Sequence, residues 1–206
     1  MVANTRIRLK TEDRREELVH AALELAARRS PAEITTGDLA LAIGITQGGV
    51  FKHFDSKEAI WLAVIDWAHQ SLMERLKQAA QARQDNALQA LRAVFLAHIG
   101  FVELFPGVPR LVFQELQHAK PTPLKSRVQQ LMADYRTLVT QLLDQAREER
   151  LLAKDVDIPS AVVLFMGAVQ GLVMQTLVTG NLHGMARQGK AVFNLYEAGL
   201  LPMPQT

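Results

Sequence analysis

The stretch ITTGDLALAIGITQGGVFKHFDSK, residues 34–57, decides the fold. Thr35 is followed three positions later by Asp38, the spacing of a capping box, which opens a short helix ending at Gly44. Thr46 then caps a further helix that runs to about His53. Leu39, Ala40, Ile45 and Val50 give this pair its apolar positions, and Gly44 gives the tight turn between them. Two short helices about a glycine turn make a helix-turn-helix, whose second helix is shaped to enter the DNA major groove.

A helix that enters a groove needs a slim N-terminal end, because its first residues come closest to the base edges. Thr46, Gln47, Gly48 and Gly49 stand at that end. The Gln47 amide can pair with N6 and N7 of adenine. Each glycine costs about 1 kcal/mol of helix propensity relative to alanine, a cost that close backbone approach to the duplex offsets. Lys52 and His53 follow Phe51 and flank the helix, within reach of phosphates. Lys57 stands where a fourth helix begins, so its ammonium and the positive helix end face an anion together. Val50 and Phe54 read as core.

Outward from this stretch, the first ten residues carry Arg6, Arg8 and Lys10 and no acid. Such an arm, with Arg8 at its centre, can reach a phosphate backbone or a minor groove. Thr11 to Arg29 places Leu18, Ala22 and Leu25 on one stripe, and Ser30-Pro31 stops that helix. Downstream, Asp55 with Glu58 forms a second capping box, opening a long helix through Ile60, Val64 and Trp67 towards Ala82.

Beyond residue 82 helical periodicity continues. Leu88, Leu91, Phe95, Ile99 and Val102 share a face that breaks at Phe105-Pro106-Gly107, and a short helix spans Arg110 to His118. Leu124 to Leu142 repeats at three and four residues, the mark of a long packed helix. Two further helices span about 158–178 and 185–200. The reading is all-α, with about nine helices. In 206 residues with 49% hydrophobic and 21% charged residues and a net charge of +2, there is material for a core but no blanket polycation. The absence of cysteine excludes disulfides and thiolate metal sites. Residues 161–180 are uncharged and hold Gly167-Ala-Val-Gln-Gly171, yet Gln170 and Gln175 sit mid-segment and no basic cluster flanks it. A buried helix of a soluble protein fits better than a membrane span.

The residues from Thr35 to Glu58 follow the pattern Thr-Thr-x-x-Leu-Ala-x-x-x-Gly-Ile-Thr-x-Gly-x-Val-Phe-x-His-Phe-x-Ser-Lys-Glu. This order resembles the DNA-binding domain of the TetR (tetracycline repressor) family of bacterial transcriptional regulators. The resemblance implies a helix-turn-helix DNA-binding domain over residues 1–56 and an all-α ligand-binding and dimerisation domain over 57–206. It implies a cytoplasmic homodimer paired through the last two helices, reading a palindromic operator on double-stranded DNA. A small-molecule effector would change the spacing of the two reading heads, and repression is the family's commoner mode. Carried over by position, Thr35 or Thr36 would cap the second helix against a phosphate. Thr46, Gln47 and Gly48 would start the recognition helix, and His53 and Lys57 would hold backbone. Phe51 stands where the family usually has tyrosine: its ring can pack, but that hydroxyl's phosphate contact is missing.

The resemblance also implies an effector cavity among helices four to eight. There Phe95, Phe101, Phe105, Phe113, Met166 and Met174 are the candidate apolar lining, with His98, Gln114 and Gln170 as polar handles. With no acid pair or basic cluster among them, the expected effector is a bulky apolar or aromatic compound. Two other readings stand beside this one. A fully packed body would make the protein a constitutively bound DNA factor without an effector. The pairs Glu17/His20 and Glu115/His118 have the Glu-x-x-His spacing of di-iron bundles, with Glu103 as a further ligand. The first pair, however, falls in the DNA-binding domain, away from the second. No Gly-x-Ser-x-Gly, P-loop or cysteine nucleophile supports another enzyme class, so the expectation is a non-enzyme without cofactor or metal.

Overall fold

Helix α1, Thr11–Ala26, forms because Leu18, Ala22 and Ala26 return to one side of a helix and all three become buried there. It stops before Ser30-Pro31, three residues short of the expected end at Arg29. The computed structural model describes residues 11–83, 85–180 and 184–202. Arg8, with Arg6 and Lys10, lies outside the described residues.

Among the described residues the elements are all helices: α2 Thr36–Ala42, α3 Gln47–Val50, α4 Lys57–Gln81, α5 Ala87–Leu104, α6 Gly107–Leu116, α7 Pro123–Glu148, α8 Ile158–Thr179 and α9 Met185–Ala198. Most begin on a short polar side chain: Thr35, Thr46, Ser56, Asn86, Thr122 and Asp157 each accept a first-turn N–H. Other boundaries differ from the sequence reading as well. The cap of α4 is Ser56, not Asp55, because Ser56 has the extended backbone (φ −155°, ψ 165°) from which its oxygen reaches the Ala59 N–H at 3.1 Å. Helix α3 closes at Val50, and tight turns carry the chain on through His53. Helix α6 begins at Gly107 rather than Arg110.

Helix α4 ties the two halves together. One side of it, from Ile60 to Leu76, is buried and packs on α1, α5 and α7. Near its middle, Trp67 stands 5.2 Å from the His20 ring of α1 and 4.8 Å from Phe105 at the end of α5. Helix α6 crosses the same junction and touches α1 and α7. Its first residue has to be glycine: a Cβ on Gly107 would run into the Leu23 carbonyl oxygen and lie 3.0 Å from the Ala26 Cβ.

The core of the body is aromatic. Phe95 meets Phe165 and Phe193 edge-on or tilted at 5.3 Å each, and Tyr196 closes the cluster while donating its hydroxyl to the Ala161 carbonyl at 3.0 Å. Burying one such ring contributes roughly 1.5–3 kcal/mol. Helices α5 and α8 are each long and apolar enough to cross a membrane. Here α5 is enclosed by α4, α7, α8 and α9, while α8 lies on α5, α7 and α9. The outward side of α8 and α9 keeps Val163, Leu164, Met174, Val178 and Leu195 exposed.

Candidate nucleic-acid interface and apolar cavity

Thr35 sets the start of α2. Its hydroxyl accepts the Asp38 N–H at 3.1 Å, and the Asp38 carboxylate takes both the Thr35 N–H and hydroxyl at 2.8 and 2.7 Å. These bonds, backbone first, with Arg29 behind them at 3.3 Å, hold the Asp38 carboxyl below its ordinary pKa. The helix ends in a Schellman turn. Gly44 sits at φ +68°, Ile45 N–H reaches the Ala40 carbonyl at 2.9 Å, and Gly44 N–H reaches Leu41 at 3.2 Å. That turn aims α3 outward.

Helix α3 is capped by Thr46, whose hydroxyl accepts the Gly49 N–H at 3.1 Å. Thr46, Gln47 and Gly48 are exposed, and Val50 is fully buried beneath them. A Cβ placed on Gly48 would meet nothing within 4 Å, whereas one on Gly49 would touch Ile45 and the Thr46 hydroxyl at 3.4 Å. Nothing inside the protein therefore requires glycine at 48. Gln47 is not idle: its amide N–H donates to the Thr36 hydroxyl at 2.8 Å, tying α3 to α2. Thr36 itself is buried, so Thr35 is the cap and Thr36 the brace.

The rim follows. Phe51 and Lys52 are exposed, and Phe54 is core. His53 is half-buried, with its Nδ1 unpartnered. Arg15 of α1 donates to the His53 carbonyl at 2.6 Å and lies over the Phe54 ring at 4.2 Å. This brace on the exit of α3 joins residues 38 apart, a link no local spacing could reveal. Lys57 reaches back to the Ala32 carbonyl at 2.9 Å.

In the body, an apolar cavity of about 60 Å³ opens between α5, α6, α7 and α8, with Leu72 of α4 at one wall. That is several times the ~10–15 Å³ one water needs. Of the sequence candidates, His98, Phe101, Phe113, Met166 and Gln170 line it. Phe95 instead sits in the aromatic core, six residues from Phe101 and so on another face of α5. Phe105 packs on Trp67 and Phe101, with the Arg75 guanidinium 5.8 Å from its ring centre. Met174 lies on the exposed side of α8. Gln114 points the other way from the cavity, accepting the Ala32 N–H at 3.2 Å and the Ser30 hydroxyl at 3.5 Å.

Helix α6 therefore has two working sides. Val108, Pro109, Val112, Phe113 and Leu116 border the cavity, while Gly107 and Gln114 hold α1 and the 30–32 loop. Ala32 is gripped from both ends, its N–H by Gln114 and its carbonyl by Lys57. Tyr135, which reads from sequence as one more apolar position of α7, is also a cavity residue.

Among the described residues no group of three or more His, Asp or Glu side chains could hold a metal. Glu17 pairs with Arg14 at 2.6 Å, Glu115 lies 3.6 Å from His118, and Glu103 accepts the Ala186 N–H at 3.0 Å. The two Glu-x-x-His pairs do not converge.

Two family models match the chain. One, for bacterial regulatory proteins of the tetR family, covers residues 18–64, and the other, for a tetracyclin repressor-like C-terminal domain, covers residues 112–192. Among known proteins, the chain is similar to the nucleoid occlusion factor SlmA of Vibrio cholerae serotype O1, at 29% identity over 165 residues, 79% of this chain and 83% of that one. The fold is shared with the ketosteroid transcriptional regulator KstR2 of Mycobacterium tuberculosis (TM-score 0.77, 21% identity, 92% of this chain and 96% of that one). It is shared too with the transcriptional regulator FadR from Bacillus subtilis in complex with stearoyl-CoA (TM-score 0.77, 16% identity, 90% and 98% of the two chains).

Proposed function

The chain belongs to the TetR family of bacterial regulators, DNA-binding transcription factors rather than enzymes, and from that premise we propose that it is a cytoplasmic, homodimeric repressor of a palindromic operator, released by a small apolar effector. The observation that carries the DNA half is the bare, exposed start of α3. Gly48 has open space where its side chain would be, so the residue that costs the helix most serves something outside the protein. Thr46, Gln47, Gly48 and Gly49 face the bases, while Thr35, Phe51, Lys52, His53 and Lys57 lie along the phosphates, with Arg8 on the arm before α1. To reach adenine with both amide atoms, Gln47 exchanges its bond to Thr36 for the base.

The dimer reading is supported by the outward side of α8 and α9. Leu195 and Val178 are 78% and 74% exposed, beside Val163 and Leu164, and Gly167 and Gly171 leave open space for a close helix. An apolar face of that kind calls for a partner, and a second copy of α8 and α9 supplies one. The effector reading is supported by α6, which borders the cavity on one side and holds Ala32 on the other. The junction between the domains falls between residues 56 and 57, where Ser56 caps the helix that both halves share.

A second reading, a DNA-bound factor without an effector, has the narrowness of the cavity and the name of the SlmA relative in its favour. On that reading, no apolar compound that binds the protein would weaken its hold on DNA. The test is selection of bound duplexes from a random pool, followed by titration of the recovered site. A palindrome, lost on Lys57→Ala and altered in base preference by Gln47→Ala, is the expected result. Equal affinity for random DNA of the same length would overturn the proposal.

A further inference from the structure

Two residues of the cavity wall each carry a buried polar atom with nothing to bond. Tyr135 is fully buried, and its hydroxyl has no hydrogen-bond partner; the Nδ1 of His98 is buried without one as well. Both side chains line the same cavity, their ring centres 5.1 Å apart in a T-shaped contact. A buried donor or acceptor left unpaired costs free energy, and native proteins keep few of them. Two such atoms on neighbouring side chains of one apolar wall mark a place where a small turn of either ring would meet a partner.

The rest of the lining limits what that partner can be. Apart from Gln170 it is hydrocarbon, aromatic ring and thioether, and none of the lining residues is an acid, a lysine or an arginine. A carboxylate or phosphate would lose its water there and meet no cation. Burial also depresses the His98 pKa to about 4, so its ring is neutral near pH 7, and raises that of Tyr135, which keeps its proton to donate. Met132 and Met166 border the space, and their unbranched chains can shift for an incoming apolar group.

We propose that this cavity takes a neutral, largely apolar molecule held through a single hydroxyl or carbonyl oxygen by Tyr135 and His98, a proposal that rests on the cavity being the effector site. The Tyr135 hydroxyl donates to the ligand oxygen. The Nδ1 of His98 accepts from a ligand hydroxyl, or in its other tautomer donates to a carbonyl. The hydrocarbon remainder lies against Phe101, Val102, Val112 and Val169.

The test is titration of the full-length protein with four small probes of matched length, to suit a cavity of about 60 Å³: pentanol, methyl propyl ketone, pentanoate and pentane. Pentanol or the ketone is expected to bind about tenfold or more tightly than pentane and pentanoate, the contrast of one satisfied buried polar pair. In Tyr135→Phe that preference should shrink to about twofold, while the melting temperature without ligand holds or rises, since no bond is lost. His98→Phe should narrow the preference in the same way. Pentane or pentanoate binding as well as pentanol would overturn the polar anchor, as would a full preference surviving in both variants. Binding of none of the four would overturn instead the reading of the cavity as an effector site.

Discussion

Gly48 in α3 and Gly107 in α6 are the same residue used for opposite reasons. A methyl group on Gly107 would strike the backbone of α1, so the glycine there serves the protein's own packing. A methyl group on Gly48 would point into empty space, so that glycine serves nothing in the protein's own packing. The two regions differ likewise in their polar groups. Around α2 and α3 the polar groups are tied to one another, Thr35 to Asp38, Thr46 to Gly49 and Gln47 to Thr36. In the cavity wall, the Tyr135 hydroxyl and the His98 Nδ1 have no partner. The α2–α3 pair satisfies its caps from within, whereas two buried polar atoms of the cavity wall stay unpaired.

The contrast can be broken most sharply by placing one methyl in each region. Gly107→Ala should destabilise the protein by about 1–3 kcal/mol, the usual cost of overpacking, as measured by urea unfolding. An unchanged midpoint would mean that α1 and α6 part easily, and the proposed coupling through α6 would fail with it.

A comparable effect is expected from pH. The buried His98 keeps a pKa of about 4 when folded against 6.5 in the open chain. The unfolded state therefore binds the proton first on acidification. Stability from this residue is complete above pH 6.5 and is lost as pH falls towards 4, on the order of 3 kcal/mol in all. Unfolding of His98→Leu at pH 7 and at pH 4.5 should show that slope flattened; a slope equal to wild type would place the acid sensitivity elsewhere.

The smallest effect belongs to the cap. Thr35→Ala should cost about 1 kcal/mol and let the Asp38 carboxyl titrate part of the way back to its ordinary range, since the hydroxyl bond is lost while the backbone N–H bond, the larger cause, stays. Carbon-detected NMR titration of Asp38 reads this directly, and no change would mean that the Thr35 backbone N–H holds the carboxyl low without the hydroxyl.

These effects also show why some features were legible along the chain and others were not. The cap at Thr35, the turn at Gly44 and the limits of α8 depend on neighbours a few residues away, and the spacing carries them. Asp55 and Ser56 are both competent caps, each with a side chain able to reach a first-turn N–H; only the backbone angles choose Ser56. Tyr135 fell on the apolar stripe of α7, and nothing in that stripe tells which position faces a void. Phe95 and Phe101 look equivalent in the sequence, yet their places on α5 send one to the core and the other to the cavity. Gln114 and Arg15 act on loops 82 and 38 residues away, distances over which periodicity says nothing.

The most direct test of the account is the affinity of Gly48→Ala for the selected operator. Alanine improves a helix by up to about 1 kcal/mol over glycine, so the variant should fold at least as stably as wild type. Its added methyl should nonetheless stand between α3 and the base edges, weakening specific binding about tenfold or more while leaving the weaker, salt-driven binding to random DNA unchanged. Operator affinity equal to wild type would contradict the claim that α3 reads DNA through its bare end.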